Sequence, residues 1–162
     1  ITPCQPRRGS YSPAMPETSI VAPINTDKEY TLAGPATLEG TSLHTGQKVT
    51  LTIKPAPGGH GFKFRRVDLP DKPIIDADVG RVEQVERATT LASGSVWVHT
   101  VEHVLFALTG MGVDHALIEM DANEPPIVDG SAWPFVDLVR KSGVVEQESR
   151  RTEEQTSELH LP

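Results

Sequence analysis

The sequence is poor in cysteine, in aromatic residues and in long hydrophobic runs. Cys4 is the single cysteine, which excludes an intramolecular disulfide and a metal cluster built from several cysteines. No apolar run approaches the roughly 20 residues that span a bilayer, so the sequence predicts no transmembrane segment. Lys and Arg number 15 against 22 Asp and Glu, for a net charge of −7. General nucleic-acid binding needs clustered basic residues, so we expect no nucleic-acid partner.

Composition divides the chain into three parts. Residues 1–27 are rich in proline and lack hydrophobic periodicity, so we expect a disordered N-terminal extension. Residues 28–147 carry the hydrophobic patterns of one globular domain, and residues 148–162 form a polar, Glu-rich tail that we expect to be truncated or out of frame. The chain opens on Ile1 and Met15 is its first methionine, so we expect that residues 1–14 are an upstream extension or that the reading frame is incomplete.

Short alternating patterns predict strands throughout residues 28–147. Period-2 alternation of apolar and polar residues indicates half-buried strands, and a Ser93-Gly94 pair between two such runs indicates a hairpin. The predicted strands are centred on Val49–Ile53, Phe62–Phe64, Thr89–Ala92, Val96–His99 and Ala116–Met120, with a weaker one at Ile74–Val79.

Two helices are predicted among these strands. The first runs from Val101 to about Thr109 behind the N-cap Thr100, and Val101, Leu105 and Leu108 give it one apolar face. The second runs from Ala132 to Lys141, with Ser131 as its N-cap and Gly143 as its C-cap. Together, the predicted strands and helices indicate an α+β two-layer sandwich, a mostly antiparallel sheet covered on one face by two helices.

Residues 99–103 read His-Thr-Val-Glu-His, a spacing known from zinc peptidases. In such a peptidase both imidazoles lie on one helix and bind the same metal. Here the alternation of Val96 and Val98 makes His99 the last residue of a strand, so its direction is unrelated to that of His103. We therefore favour a strand residue over a metal ligand for His99, and keep the peptidase as an alternative.

Glu102 and His103 fall together in the first turn of the predicted helix. Adjacent helical residues point about 100° apart, so one can bind a metal while the other reaches a nearby water. The helix dipole favours an ionised carboxylate here, and an ionised carboxylate can accept a proton. The structural alternative is an acidic residue that stabilises the helix end beside a half-buried histidine.

An ordered set of motifs around these residues resembles the N-terminal domain of the UDP-3-O-acyl-N-acetylglucosamine deacetylase family, the zinc enzymes of lipid A biosynthesis. The resemblance covers about Lys28 to Gln147. The stretch from Lys63 to Val79 looks most like the variant fused to a 3-hydroxyacyl-ACP dehydratase. The motifs are GTSLHTG at 40–46, VTL at 49–51, KPAP at 54–57, FRRVDL at 64–69, HTVEHVLFALTGMGVDHALIE at 99–119 and PIVDGSA at 126–132.

The resemblance implies a function and a site. Family members have two similar α+β domains with the site between them, and remove acetate from an acylated UDP-sugar in the cytoplasm. By position, His103 matches the zinc ligand of the first domain and Glu102 matches the general base. The family segments that line the substrate cleft match Leu43, Ala88 and Thr89. Two further residues lie in family motifs, His44 and Asp129, although a turn and a helix cap are their structural alternatives.

The sequence departs from the family after the first domain. The family's second domain supplies two further zinc ligands in a His-x-x-x-Asp motif, whereas only His115 and His160 follow His103 here. Catalytic zinc usually has three protein ligands, so we expect this chain to bind zinc weakly and to be inactive without C-terminal domains of the same protein. A non-catalytic binding module stays open as a third hypothesis, because an incomplete cleft would expose apolar surface.

Overall fold

The computed structural model describes residues 27–85 and 88–151, and the predicted disordered segment up to residue 26 lies outside this range. The helices are α1 (Glu102–Gly110) and α2 (Trp133–Ser142). The strands are β1 (Lys28–Leu32), β2 (Ala36–Thr41), β3 (Lys48–Pro55), β4 (Phe62–Arg66), β5 (Ile74–Asp76), β6 (Val82–Val85), β7 (Ala88–Ser93), β8 (Val96–His99), β9 (Ala116–Met120) and β10 (Val144–Arg150).

The largest sheet has five strands in the order β2-β3-β9-β4-β5. All of its pairs are antiparallel except β4 with β9. The predicted alternation in β3 is confirmed, because Val49, Leu51 and Ile53 are buried while the residues between them are partly exposed. Such alternation places one face of the sheet against the core.

The two helices supply the other side of the core. Val104, Ala107 and Leu108 of α1 are completely buried, and they join Phe135 and Val139 of α2 in one hydrophobic cluster with the sheet residues. The predicted α+β class, mostly antiparallel with two helices, is confirmed. The strands form three sheets rather than one, since β6-β7-β8 and β1-β10 pair separately from the five-stranded sheet.

The predicted hairpin is confirmed, and it positions the start of α1. Strand β7 pairs with β8 in antiparallel register, with Thr90 opposite His99. The predicted cap at Thr100 is wrong. The N-cap residue is Val101, which makes no side-chain cap bond, and the Thr100 hydroxyl is turned to Glu124 instead.

The start of α2 also differs in detail from its prediction. Ala132, not Ser131, is the N-cap residue, although the Ser131 hydroxyl does accept a hydrogen bond from the Trp133 amide at 3.1 Å. At the other end Gly143 is the C-cap as predicted. Its φ of 81° is in the left-handed region, where glycine has no steric penalty.

Strand β10 extends into the segment that composition predicts to be a polar tail. Residues Val144–Arg150 pair with β1 in antiparallel register, so residues 148–150 are strand. The rest of the predicted tail, from residue 152 onward, lies outside the described range. Both β10 and the exposed strand β2 lack a continuous apolar alternation, so the sequence pattern does not reveal them.

Candidate active site

Glu102 and His103 begin α1, as predicted. Glu102 is exposed and His103 is half-buried, whereas the next residue, Val104, is buried in the core. Both candidate side chains therefore lie at the solvent edge of the helix while the apolar face anchors it. The carboxylate also lies in the first turn of the helix, where the dipole stabilises negative charge.

Strand β7 holds the Glu102 carboxylate in place. The backbone amide of Thr89 donates a hydrogen bond to Oε1 of Glu102. Thr89 and its neighbour Ala88 are both half-buried. The structure thus brings together the predicted base and two of the predicted substrate-binding residues, although they belong to different elements. One carboxylate oxygen, Oε1, is engaged by the strand.

His99 ends β8 and does not belong to the helix that carries His103. Its Nδ1 is 2.8 Å from the Thr90 hydroxyl, and its amide donates to the carbonyl of Asn123 at 2.8 Å. Burial lowers the pKa of His99, with the charges of His44 and Arg66 acting the same way, and these together outweigh the opposing charge of Glu124. The helical two-histidine arrangement of the peptidase alternative is therefore absent from the described residues.

The turn that carries Leu43 and His44 reaches a buried carboxylate that sequence reasoning missed. Glu124 is 1% exposed, and its Oε1 lies 2.6 Å from Nδ1 of His44. Its Oε2 accepts the His44 amide at 3.0 Å, and Oε1 also accepts the Thr100 hydroxyl at 2.8 Å. Leu43 itself is 55% exposed. The predicted role of His44 as a local turn former is thus incomplete, because its ring pairs across 80 residues of sequence.

The pKa of Glu124 reflects this pairing. Burial acts to raise it, but the hydrogen bonds from His44 and Thr100 prevail and hold the pKa below its ordinary value. The carboxylate is therefore ionised near neutral pH. The only sequence signal for Glu124 is that an acidic residue directly precedes the apolar run Pro125-Pro126-Ile127. A charged side chain beside apolar residues needs a partner if it is buried.

Asp129 lies on the loop before α2 and is exposed. Its Oδ1 accepts hydrogen bonds from the Ser131 amide at 2.9 Å and from the Ser131 hydroxyl at 2.8 Å. These bonds lower the pKa of Asp129, and the charge of His103 lowers it further, which places His103 within electrostatic reach. The preceding Val128 has a φ of 51°, a strained conformation for a β-branched residue.

The described residues fit only part of a zinc centre. Within residues 27–85 and 88–151, no group of three or more His, Cys, Asp or Glu side chains could hold a metal ion. His103 is accessible enough to supply one imidazole. Since three protein ligands are usual for catalytic zinc, two would have to come from residues beyond the described range.

No helix within the described residues has the length and apolar character needed to cross a membrane.

Comparison with known proteins gives a family for this fold and site. The family described as UDP-3-O-acyl N-acetylglycosamine deacetylase matches residues 29–160. The UDP-3-O-acyl-N-acetylglucosamine deacetylase of Methylococcus capsulatus is 48% identical over 122 residues, which are 75% of this chain and 40% of that protein. The deacetylase of Myxococcus xanthus is 49% identical over 119 residues, 74% of this chain and 38% of that protein.

A bifunctional relative matches equally well. The bifunctional enzyme LpxC/FabZ of Porphyromonas gingivalis is 47% identical over 124 residues, 76% of this chain and 27% of that protein. Identity therefore does not separate the fused variant from the single-function enzymes. The chain spans about 40% or less of the length of these relatives. Because the family match covers most of the described residues, the chain belongs to the UDP-3-O-acyl-N-acetylglucosamine deacetylase family.

Proposed function

We propose that this chain supplies the Glu102–His103 half of the active site of a zinc-dependent deacetylase. The substrate would be UDP-3-O-acyl-N-acetylglucosamine, and the reaction a step of lipid A biosynthesis in the cytoplasm. The observation that carries the proposal is the first turn of α1. There an exposed carboxylate, oriented by the Thr89 amide, stands beside a half-buried imidazole at the positive end of a helix dipole.

The reaction is hydrolysis of the 2-acetamido group. Water adds to the carbonyl carbon as Glu102 accepts one of its protons, the carbon–nitrogen bond breaks, and the proton passes to the departing amine nitrogen. The products are acetate and the free amino sugar. General acid–base catalysis of this kind contributes typically about 10²–10⁴-fold to a rate. The hydrogen bond from Thr89 keeps the carboxylate in one position, so that less orientational freedom is lost on the way to the transition state.

His103 is proposed as one ligand of the zinc ion. When bound, zinc would supply Lewis-acid chemistry at the carbonyl oxygen and activate water at neutral pH. The remaining ligands are proposed to come from a second domain of the same protein, since the described residues offer no complete set. Leu43, Ala88 and Thr89 are proposed to line the substrate site. The exposure of Leu43 and the contact of Thr89 with Glu102 support this assignment.

A fusion protein tests the proposal. This chain would replace the matching segment of the Methylococcus capsulatus deacetylase, to which it is 48% identical, and acetate release would be measured with zinc present. We expect activity, and we expect Glu102→Gln to lower kcat about 10²–10⁴-fold. Glu119→Gln is the matched control, because Glu119 pairs with Lys54 and Arg65 on the sheet. A folded fusion without activity, or one indifferent to Glu102→Gln, would contradict the assignment.

A further inference from the structure

A buried carboxylate that the proposed reaction does not use lies next to the site. Glu124 follows β9 and is 1% exposed, yet it receives three hydrogen bonds. Two of them come from His44 and one from Thr100. Burying a charge is costly unless it is paired and hydrogen-bonded, and this charge is. One partner, Thr100, lies two residues before Glu102 in sequence. The other, His44, comes from a separate turn, 80 residues away from Glu124 in sequence.

The pairing determines where the proton of His44 resides. An ionised carboxylate can only accept hydrogen bonds. At 2.6 Å from Oε1 of Glu124, Nδ1 of His44 must therefore carry the proton. In a neutral imidazole this leaves Nε2 with a lone pair, since the two nitrogens divide the donor and acceptor roles between them. The position of the Glu124 carboxylate therefore selects the Nδ1–H tautomer of His44.

Nε2 of His44 is available to a ligand. The His44 side chain is 50% exposed, while its carboxylate partner is 1% exposed. Within residues 27–85 and 88–151, Nε2 of His44 makes no hydrogen bond. A buried acid behind an exposed imidazole is an arrangement that orients the outer nitrogen toward whatever approaches.

Glu124 also connects this imidazole to the start of α1. Thr100, whose hydroxyl binds the same Oε1, has a φ of 54° and lies two residues before Glu102. The loop holding Glu124 is tied to the turn of His44 by the hydrogen bond from the Ile127 amide to the Thr41 carbonyl, at 2.9 Å. One carboxylate thus fixes both the turn that carries His44 and the residue that leads into the Glu102–His103 pair.

We propose that Glu124 is a positioning residue, which holds His44 with its proton on Nδ1 and presents Nε2 to a polar group of the acylated sugar substrate. The proposal rests on the proposed function for the identity of the substrate. The orientation of the His44 ring does not depend on the proposed function, because it follows from contacts within this chain. His44 is then the residue that contacts substrate, and Glu124 acts through it.

Nitrogen NMR of the 162-residue chain tests the orientation directly. Two-bond proton–nitrogen spectra distinguish protonated from bare imidazole nitrogens, and His44→Gln assigns the signals. The spectra would be recorded about two pH units above the ordinary histidine pKa of about 6.5. We expect a proton on Nδ1 of His44 in the unaltered protein. A bare Nδ1 would overturn the proposal, and this measurement needs no variant that could fail to fold.

Glu124→Gln gives the second measurement. A side-chain amide can donate as well as accept, so the preference for the Nδ1–H form should fall about tenfold or more, the scale set by one hydrogen bond to a charged group. Glu29→Gln is the matched control, because Glu29 is another buried carboxylate, 2.9 Å from Nε2 of the buried His115. It should alter the signals of His115 and leave those of His44 unchanged. An unchanged His44 preference in a folded Glu124→Gln chain would overturn the proposal.

The result separates this proposal from the deacetylase assignment. The NMR measurement needs neither metal nor substrate, so a bare Nδ1 would refute the positioning role and leave the assignment to the fusion assay. An inactive fusion would refute the assignment, while a protonated Nδ1 would still uphold the orientation of His44 by Glu124.

Discussion

At Thr100 we expect glycine to be a more stable substitution than alanine, which is the reverse of the usual order. Its φ of 54° is in the left-handed region, which is unusual for a β-branched residue, and its hydroxyl donates to the buried Glu124 carboxylate at 2.8 Å. The residue joins β8 to α1, so its conformation sets the direction in which Glu102 and His103 leave the sheet. Replacing it separates the contribution of the hydrogen bond from that of the backbone.

The magnitudes follow from three general costs. Both Thr100→Ala and Thr100→Gly lose a hydrogen bond to a charged group, about 1.5–3 kcal/mol of unfolding free energy. Alanine keeps the left-handed penalty of about 1–2 kcal/mol, which glycine does not have. Glycine instead costs about 0.5–1 kcal/mol through the entropy of the unfolded chain. Taking the midpoints of these two costs, we expect the glycine variant to be more stable than the alanine variant by about 0.75 kcal/mol.

Urea unfolding followed by circular dichroism measures both differences. Thr37 of β2 is the control, because its hydroxyl also has a partner, Thr52 at 2.9 Å, but its φ is negative. There glycine should be the less stable variant by about 0.5–1 kcal/mol. The reasoning is refuted if alanine equals or exceeds glycine at position 100, since the left-handed backbone would then carry no penalty.

Three further predictions concern acid stability, the core and the metal. The pKa of Glu124 is held below its ordinary value of 4.5, so its contribution to stability is complete above that value and is lost as the pH falls through the lowered pKa. Glu124→Gln should flatten the stability curve in this acid range, and an unchanged slope would contradict the pairing. Leu108→Ala should cost about 2–5 kcal/mol because Leu108 is completely buried, whereas Phe106→Ala on the exposed side of α1 should stay within about 0.5 kcal/mol. In calorimetric titration the chain should bind zinc weakly, and His103→Ala should abolish that binding; tight one-to-one binding would show that further ligands exist within this chain.

Local periodicity was sufficient for most of the fold. The alternation in β3 and β9 and the apolar face of α1 are properties of a few neighbouring residues, and the structure has strands and a helix there. Four strands, β1, β2, β6 and β10, were not predicted. Strands β2 and β10 are largely exposed, so their sequences carry little hydrophobic alternation. The Thr100 cap was wrong for a related reason. A threonine before a helix suits a cap, but a buried acid elsewhere in the chain competes for its hydroxyl.

The sequence by itself determined that Glu102 and His103 share the first turn of a helix, because the helical pattern begins just before them. It also determined that their side chains point about 100° apart, since that is the rotation between adjacent helical residues. Only the tertiary structure decided what surrounds them. Glu102 meets Thr89 across a hairpin, and His44 meets Glu124 across 80 residues. Such contacts depend on how the loops pack over the core. The periodicity of a segment records which of its faces is buried, but not which distant side chain it will contact.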